Sequence, residues 1–149
     1  MLQLNLPKYD CRIRKNDDIT DIFDPIRKTF LRLTPEEWVR QHIINFLVNH
    51  KGFPLSHIKV EYGLEVNGLK RRCDILAFDK DANMILLVEC KAPQVKITQD
   101  AFNQIANYNY ALKVKYLFVT NGMEHFYASI DFKNEKYCFL KDLPNYQDL

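Results

Sequence analysis

At 149 residues, with 47% apolar, 13% aromatic and 27% charged side chains, the chain has the make-up of one ordinary globular domain, which excludes the fibrous, low-complexity and disordered classes. Twenty-one Lys and Arg against nineteen Asp and Glu leave +2, too little to bind nucleic acid through a bulk positive field, so any basic surface has to be local. Cys11, Cys73, Cys90 and Cys138 show neither a CxxC nor a zinc-finger spacing with His42, His50, His57 or His125, which points to four reduced thiols.

The opening MLQLNLPKYDCRIRK has no signal-peptide apolar run, and no stretch approaches the roughly 18 apolar residues of a membrane helix; a cytoplasmic protein without a membrane partner is expected. Residues 1–33 read as an N-terminal extension packed on the core. Within it YDCRIRK can form a strand, whereas DDITDIFDPIRKTFLRL reads as irregular, with Pro25 ruling out a long helix. Residues 34–149 then form the main domain. Its first helix starts in LTPEEWVRQHIINFLVNH, with Thr34 as N-cap, Pro35 at the first helical position and Glu37 completing a capping box. Val39, Ile43, Phe46 and Leu47 make its buried stripe, and Glu36 lies along that stripe near the start.

Three strands follow, HIKVEYGLEV, RRCDILAFD and NMILLVECKA, divided by the turn signals NGLK and DKDAN, so they read as an antiparallel meander. The second and third are apolar on both faces, the mark of central strands covered on both sides. ITQDAFNQIANYNYALK is an amphipathic helix with Thr98 as N-cap and Ala101, Phe102, Ile105 and Leu112 facing inward. VKYLFVTN is a further strand, with HFYASI and KYCFL as shorter ones.

Two acids and a lysine interrupt the most apolar strands. A turn over Lys80–Asn83 sets Phe78 opposite Ile85, Leu76 opposite Leu87, and Asp74 opposite Glu89. Facing carboxylates at Cβ separations of about 4.5–5.5 Å repel, so something must offset them. Glu89 and Lys91 share a strand face about 6.6 Å apart, and Arg72 falls opposite Lys91. Two readings follow. In one, Lys91 and Arg72 neutralise the acids in a structural network. In the other, Asp74 and Glu89 hold a divalent ion, with the Cys90 carbonyl and waters completing an oxygen shell suited to Mg²⁺.

Asp74, fourteen intervening residues, then Glu89-Cys90-Lys91 resembles the D…ExK signature of the PD-(D/E)XK nuclease superfamily. Gln104 and Tyr108 form a QxxxY on the next helix, as in RecB-type nucleases and the nuclease domain of type I restriction enzyme R subunits. Residues four apart share a helix face. The similarity runs over roughly residues 34–122 and resembles the type I restriction enzyme R-protein N-terminal-like family.

The resemblance implies an α/β (α+β) fold with a restriction-endonuclease-like αβββαβ core, a central mixed sheet flanked by helices. It implies a Mg²⁺-dependent DNA endonuclease of restriction or repair type, with Mn²⁺ able to substitute. Asp74, Glu89 and the Cys90 carbonyl would hold metal, Lys91 would stabilise the reacting phosphate, and Gln104 and Tyr108 would position it. Many relatives add a first-helix glutamate, a part for which Glu36 and Glu37 compete, with Glu37 already explained as a cap. Arg71, Arg72, Lys70 and Lys113 are candidate DNA-backbone contacts. The sequence has no GxxxxGK[ST], so it carries no helicase motor of its own. A stand-alone nuclease, or a cutting module working with a motor or specificity subunit, is expected, and a cut through both strands favours a homodimer. The alternative is a catalytically silent nuclease-fold module that binds DNA or a protein.

Overall fold

The N-terminal residues form more strand than the sequence suggests. The computed structural model describes residues 1–149. Strands β1 (Ile13–Asn16), β2 (Ile19–Asp24) and β3 (Thr29–Arg32) form an antiparallel three-stranded sheet: β1 overlaps the end of YDCRIRK, and the stretch expected to be irregular supplies β2 and β3. Its strands are only four to six residues long and rich in charge, too short for alternation to stand out. Left-handed residues close the turns, Asp17 at φ 53° and Lys28 at φ 55°. In the second turn the Asp24 carboxylate accepts from the N–H groups of Ile26 (2.8 Å) and Arg27 (2.9 Å). Ile22 is fully buried. Ahead of this sheet, Leu4 joins the core and the Asn5 N–H donates to the Gly122 carbonyl at 2.8 Å.

Helix α1 (Pro35–Asn49) starts as the cap residues dictate, with Thr34 Oγ1 accepting from the Glu37 N–H at 3.1 Å. The reciprocal half of the expected capping box does not form. The Thr34 N–H donates instead to the Arg32 carbonyl at 3.0 Å, and the Glu37 carboxylate turns to Arg27, Arg40 and Gln41. Val39, Ile43 and Leu47 are fully buried, and Gln41, His42 and Ile44 are buried too: Gln41 bonds to Asp24 of the β1–β3 sheet, and Tyr9, ahead of that sheet, packs edge-on against His42.

The main sheet has six strands, β4 (Ile58–Val66), β5 (Leu69–Phe78), β6 (Met84–Cys90), β7 (Tyr116–Thr120), β8 (His125–Asp131) and β9 (Lys136–Leu140), ordered in space as in sequence. Helix α2 (Gln99–Leu112), capped by Thr98 Oγ1 on the Ala101 N–H at 3.1 Å, makes the crossover that renders β6 and β7 parallel, while all other neighbours are antiparallel. On one face Val39, Ile43 and Leu47 of α1 pack with Ile75, Ala77, Leu86 and Val88; on the other Phe102 and Ile105 of α2 pack with Leu76, Leu87, Leu117 and Val119. This double cover is why β5 and β6 lack a polar face.

Leu76 pairs with Leu87 as expected. Phe78 pairs with Met84 rather than Ile85, because a bulge at Ala77/Phe78 absorbs one residue before a turn that contains left-handed Ala82. At the opposite end β4 and β5 outrun β6. Pairs Gly63–Arg72, Leu64–Arg71, Glu65–Lys70 and Val66–Leu69 continue as a largely exposed two-stranded ribbon. All four cysteines are free thiols, and no helix is long and apolar enough to cross a membrane.

Candidate active site

The regular β5–β6 ladder ends at Ile75–Val88, so the next residues in register are Asp74 and Glu89. The ladder stops because a side chain takes over its hydrogen bonding: Asp74 Oδ2 accepts from the Cys90 N–H at 2.8 Å. Glu89 is 6% exposed, and its Oε1 has no hydrogen-bond partner. Its carboxyl is held well above the usual carboxylate range, first by burial and then by the charge of Asp74 and a hydrogen bond with it; Arg71 and Lys91 pull the other way.

The cation inside this cluster is Arg40, which the sequence reading did not single out. Its Nη2 lies 2.7 Å from Asp74 Oδ1, 2.8 Å from Glu61 Oε1 and 3.0 Å from Glu36 Oε1, while Nη1 pairs with Glu37 Oε2. Burial works against the guanidinium's charge, but the hydrogen bond to Asp74 and the charges of Glu37 and Asp74 more than offset it. Behind it Arg27 binds Asp24 (2.8 Å) and Glu37 (3.1 Å), and Gln41 Nε2 donates to both acids. Arg40 lies three and four residues after Glu37 and Glu36, a spacing that pairs charges on a helix and could have flagged it. Glu61 gave no such signal, since its φ of 49° departs from extended strand geometry.

The reading in which Lys91 and Arg72 neutralise the acids is therefore corrected, since Arg40 takes that place on Asp74. Arg72 faces Gly63 on the ribbon with its side chain 71% exposed, and its one carboxylate neighbour is Glu61 at 3.6 Å. Lys91 forms no ion pair, although its charge lowers the carboxyl pKa of both Glu36 and Glu89. Its N–H donates to the Thr120 carbonyl on β7 at 2.8 Å, which anchors the backbone just beyond Glu89.

Of the two helix glutamates, Glu37 is committed to Arg27, Arg40 and Gln41. The Glu36 side chain is 47% exposed rather than buried along the apolar stripe, and burial and Asp74 raise its pKa. Tyr108 has a buried hydroxyl without a partner, and the Arg71 guanidinium sits 4.2 Å above its ring. Burial first, then Cys73 and Glu89, raise that hydroxyl's pKa while Arg71 lowers it. Gln104, one turn earlier, is exposed, and Lys70 is exposed on the ribbon. Lys113 is the left-handed C-cap of α2, next to the start of β7 that pairs with Leu86 rather than with Glu89, so it does not join the cluster.

Asp74, Glu89 and the Cys90 carbonyl are hard oxygen donors of the kind Mg²⁺ takes. The fit rests on Glu89 Oε1, a buried carboxylate oxygen without a partner beside a second acid, which a cation would satisfy. Asp74, though bonded through both oxygens, retains lone pairs for a further contact. No group of three or more His, Cys, Asp or Glu side chains is arranged around one point for a metal, so water would fill much of the shell, as Mg²⁺ commonly allows.

A six-stranded mixed sheet flanked by two helices defines an α+β domain, with Asp74, Glu89 and Lys91 where its central strands β5 and β6 end. The chain belongs to the family described as Type I restriction enzyme R protein N terminus (HSDR_N), which matches residues 35–144. In fold it is similar to a fragment assigned as an HsdR subunit of a type I restriction enzyme from Vibrio vulnificus YJ016, with a TM-score of 0.56 and 22% identity over 78% of this chain and 24% of that one. The chain thus spans about a quarter of the length of that structure's chain. No curated protein matches it.

Proposed function

We propose that this domain is a Mg²⁺-dependent deoxyribonuclease of the PD-(D/E)XK type that hydrolyses DNA phosphodiester bonds. The observation that carries the reading is the unpartnered, buried Glu89 Oε1 beside Asp74, two residues before a lysine that forms no ion pair. Asp74, Glu89 and the Cys90 carbonyl would hold the ion, which supplies Lewis-acid polarisation of the phosphate and a more acidic attacking water. Lys91, free of a carboxylate partner, donates to the reacting phosphate as negative charge builds on it. Tyr108 and Gln104 orient that phosphate from α2. Arg71, Arg72 and Lys70 carry the flanking backbone along the ribbon, whose width suits the major groove of a duplex. In an assembly, a motor or specificity subunit would present the DNA.

A second reading, binding without cutting, draws on the engagement of both Asp74 oxygens by Arg40 and Cys90. Plasmid and linear DNA incubated with purified protein in Mg²⁺, Mn²⁺ or EDTA separates the two. Cleavage in either metal, absent in EDTA and strongly slowed in Lys91→Ala, is the expected result. Tight DNA binding with no cleavage in either metal would decide for the silent module.

A further inference from the structure

Arg40 has no part in the reaction as described, yet it is the most heavily paired side chain of the site. One nitrogen, Nη2, is met at 2.7–3.0 Å by carboxylates from three elements: Glu36 of α1, Glu61 of β4 and Asp74 of β5. Carboxylates gather this closely on one point only around a cation, because their mutual repulsion otherwise drives them apart or protonates them. The cation is built in rather than adventitious. The Arg40 side chain is 6% exposed, and its second nitrogen is fixed by Glu37, which Arg27 and Gln41 hold in turn. Glu61 reaches it from a left-handed backbone conformation, φ 49°, that a non-glycine residue keeps only under constraint from its surroundings.

Phosphoryl-transfer sites that use two metal ions set them about 3.5–4 Å apart and need carboxylates to hold both. Here Asp74 faces two ways. Its Oδ2 accepts only the Cys90 N–H and keeps a lone pair beside the unpartnered Glu89 Oε1, whereas its Oδ1 side, with Glu36 and Glu61, is closed by the guanidinium. A second divalent ion on that side would need the same oxygens and would stand against a fixed positive charge.

Resting on the metal-dependent reading above, we propose that Arg40 is a resident cation that takes the place of a second metal ion, so that the site binds one divalent ion, on the Asp74–Glu89 side. Arg40 is then a positioning residue. It neutralises Glu36 and Glu61, holds Asp74 by one oxygen and leaves Glu89 as the acid that still lacks a cation.

The test is the number of ions bound. Mn²⁺ is titrated into the full chain, bound ion is counted by paramagnetic resonance and calorimetry, and wild type, Arg40→Ala and Arg40→Lys are compared, with melting curves in EDTA and in Mn²⁺. Wild type and Arg40→Lys should bind one ion. Arg40→Ala should bind two, melt lower than wild type in EDTA and regain more of its melting temperature in Mn²⁺ than wild type gains, an effect that loss of a merely structural ion pair would not produce. If Arg40→Ala folds only with Mn²⁺, its ions are counted in the refolded protein; if it does not fold at all, Arg40→Gln takes its place. Two ions on wild type, or one on the charge-neutral variant, overturn the inference and leave the nuclease reading standing. No ion on wild type overturns both.

Discussion

Although Asp74 and Glu89 lie side by side, their amide variants should move stability in opposite directions. Glu89 Oε1 is buried without a partner, a defect worth about 1–3 kcal/mol and more for a charged group. Glu89→Gln removes the charge, keeps the shape and can donate to Asp74, so in EDTA a gain of about 2 kcal/mol is expected, which for a chain of this length is roughly 4–8 °C in Tm. Asp74→Asn instead strips a carboxylate from buried Arg40. Removing one partner of a buried pair costs about 3–5 kcal/mol when the other charge is stranded, and less here because Glu36, Glu37 and Glu61 remain on Arg40. A loss of about 2 kcal/mol, again roughly 4–8 °C, is expected.

The pH dependence supplies the control. The Glu89 carboxyl is pushed up to about 8 in the folded protein, so between the ordinary carboxylate range and that value the folded state holds a proton the unfolded chain has released. Wild-type stability contributed by this group therefore falls as pH rises through that window and levels off above it. The advantage of Glu89→Gln should be full above about pH 8 and shrink towards pH 5. Thermal melts of wild type and both variants in EDTA at the two pH values measure it. If Glu89→Gln melts several degrees below wild type at the higher pH, as Asp74→Asn should, Glu89 has a structural partner and the reasoning fails.

Mg²⁺ at a hundredfold excess over its dissociation constant should stabilise wild type by about 2.7 kcal/mol and either amide variant much less, which calorimetric melting reads directly. Lys91→Ala should slow cleavage by about 100- to 1,000-fold in single-turnover assays while leaving Tm within about 2 °C, because the side chain has no ion pair to lose. Tyr108→Phe should slow cleavage without lowering Tm in EDTA, since the hydroxyl it removes is buried and unpartnered; equal cleavage would free Tyr108 of any part in the reaction. Replacing both Lys70 and Arg72 with alanine should reduce the salt dependence of DNA affinity by about 1.8 in log-log slope if each meets one phosphate.

Much of this protein was legible locally. Thr34 with Pro35 and Thr98 mark helix starts because a hydroxyl must satisfy the free N–H groups of a first turn, and that need is met within three residues. The two-faced apolar pattern of β5 and β6 follows from their central place, and strand alternation with one turn was enough to bring Asp74 and Glu89 to the same end of a hairpin. The β1–β3 meander was not legible, since strands this short and charged owe their existence to turns and to docking on α1 rather than to their own periodicity. Nor was the counter-charge of the acids. Arg72, close by in sequence, points to solvent, while Arg40, thirty-four residues before Asp74, is swung onto it by the packing of α1 across the sheet. Caps and alternation are decided by neighbours a few residues away, so the sequence states them. Which cation meets a buried carboxylate depends on which helix covers that face of the sheet and on a left-handed Glu61 that breaks alternation, and only the folded chain sets both.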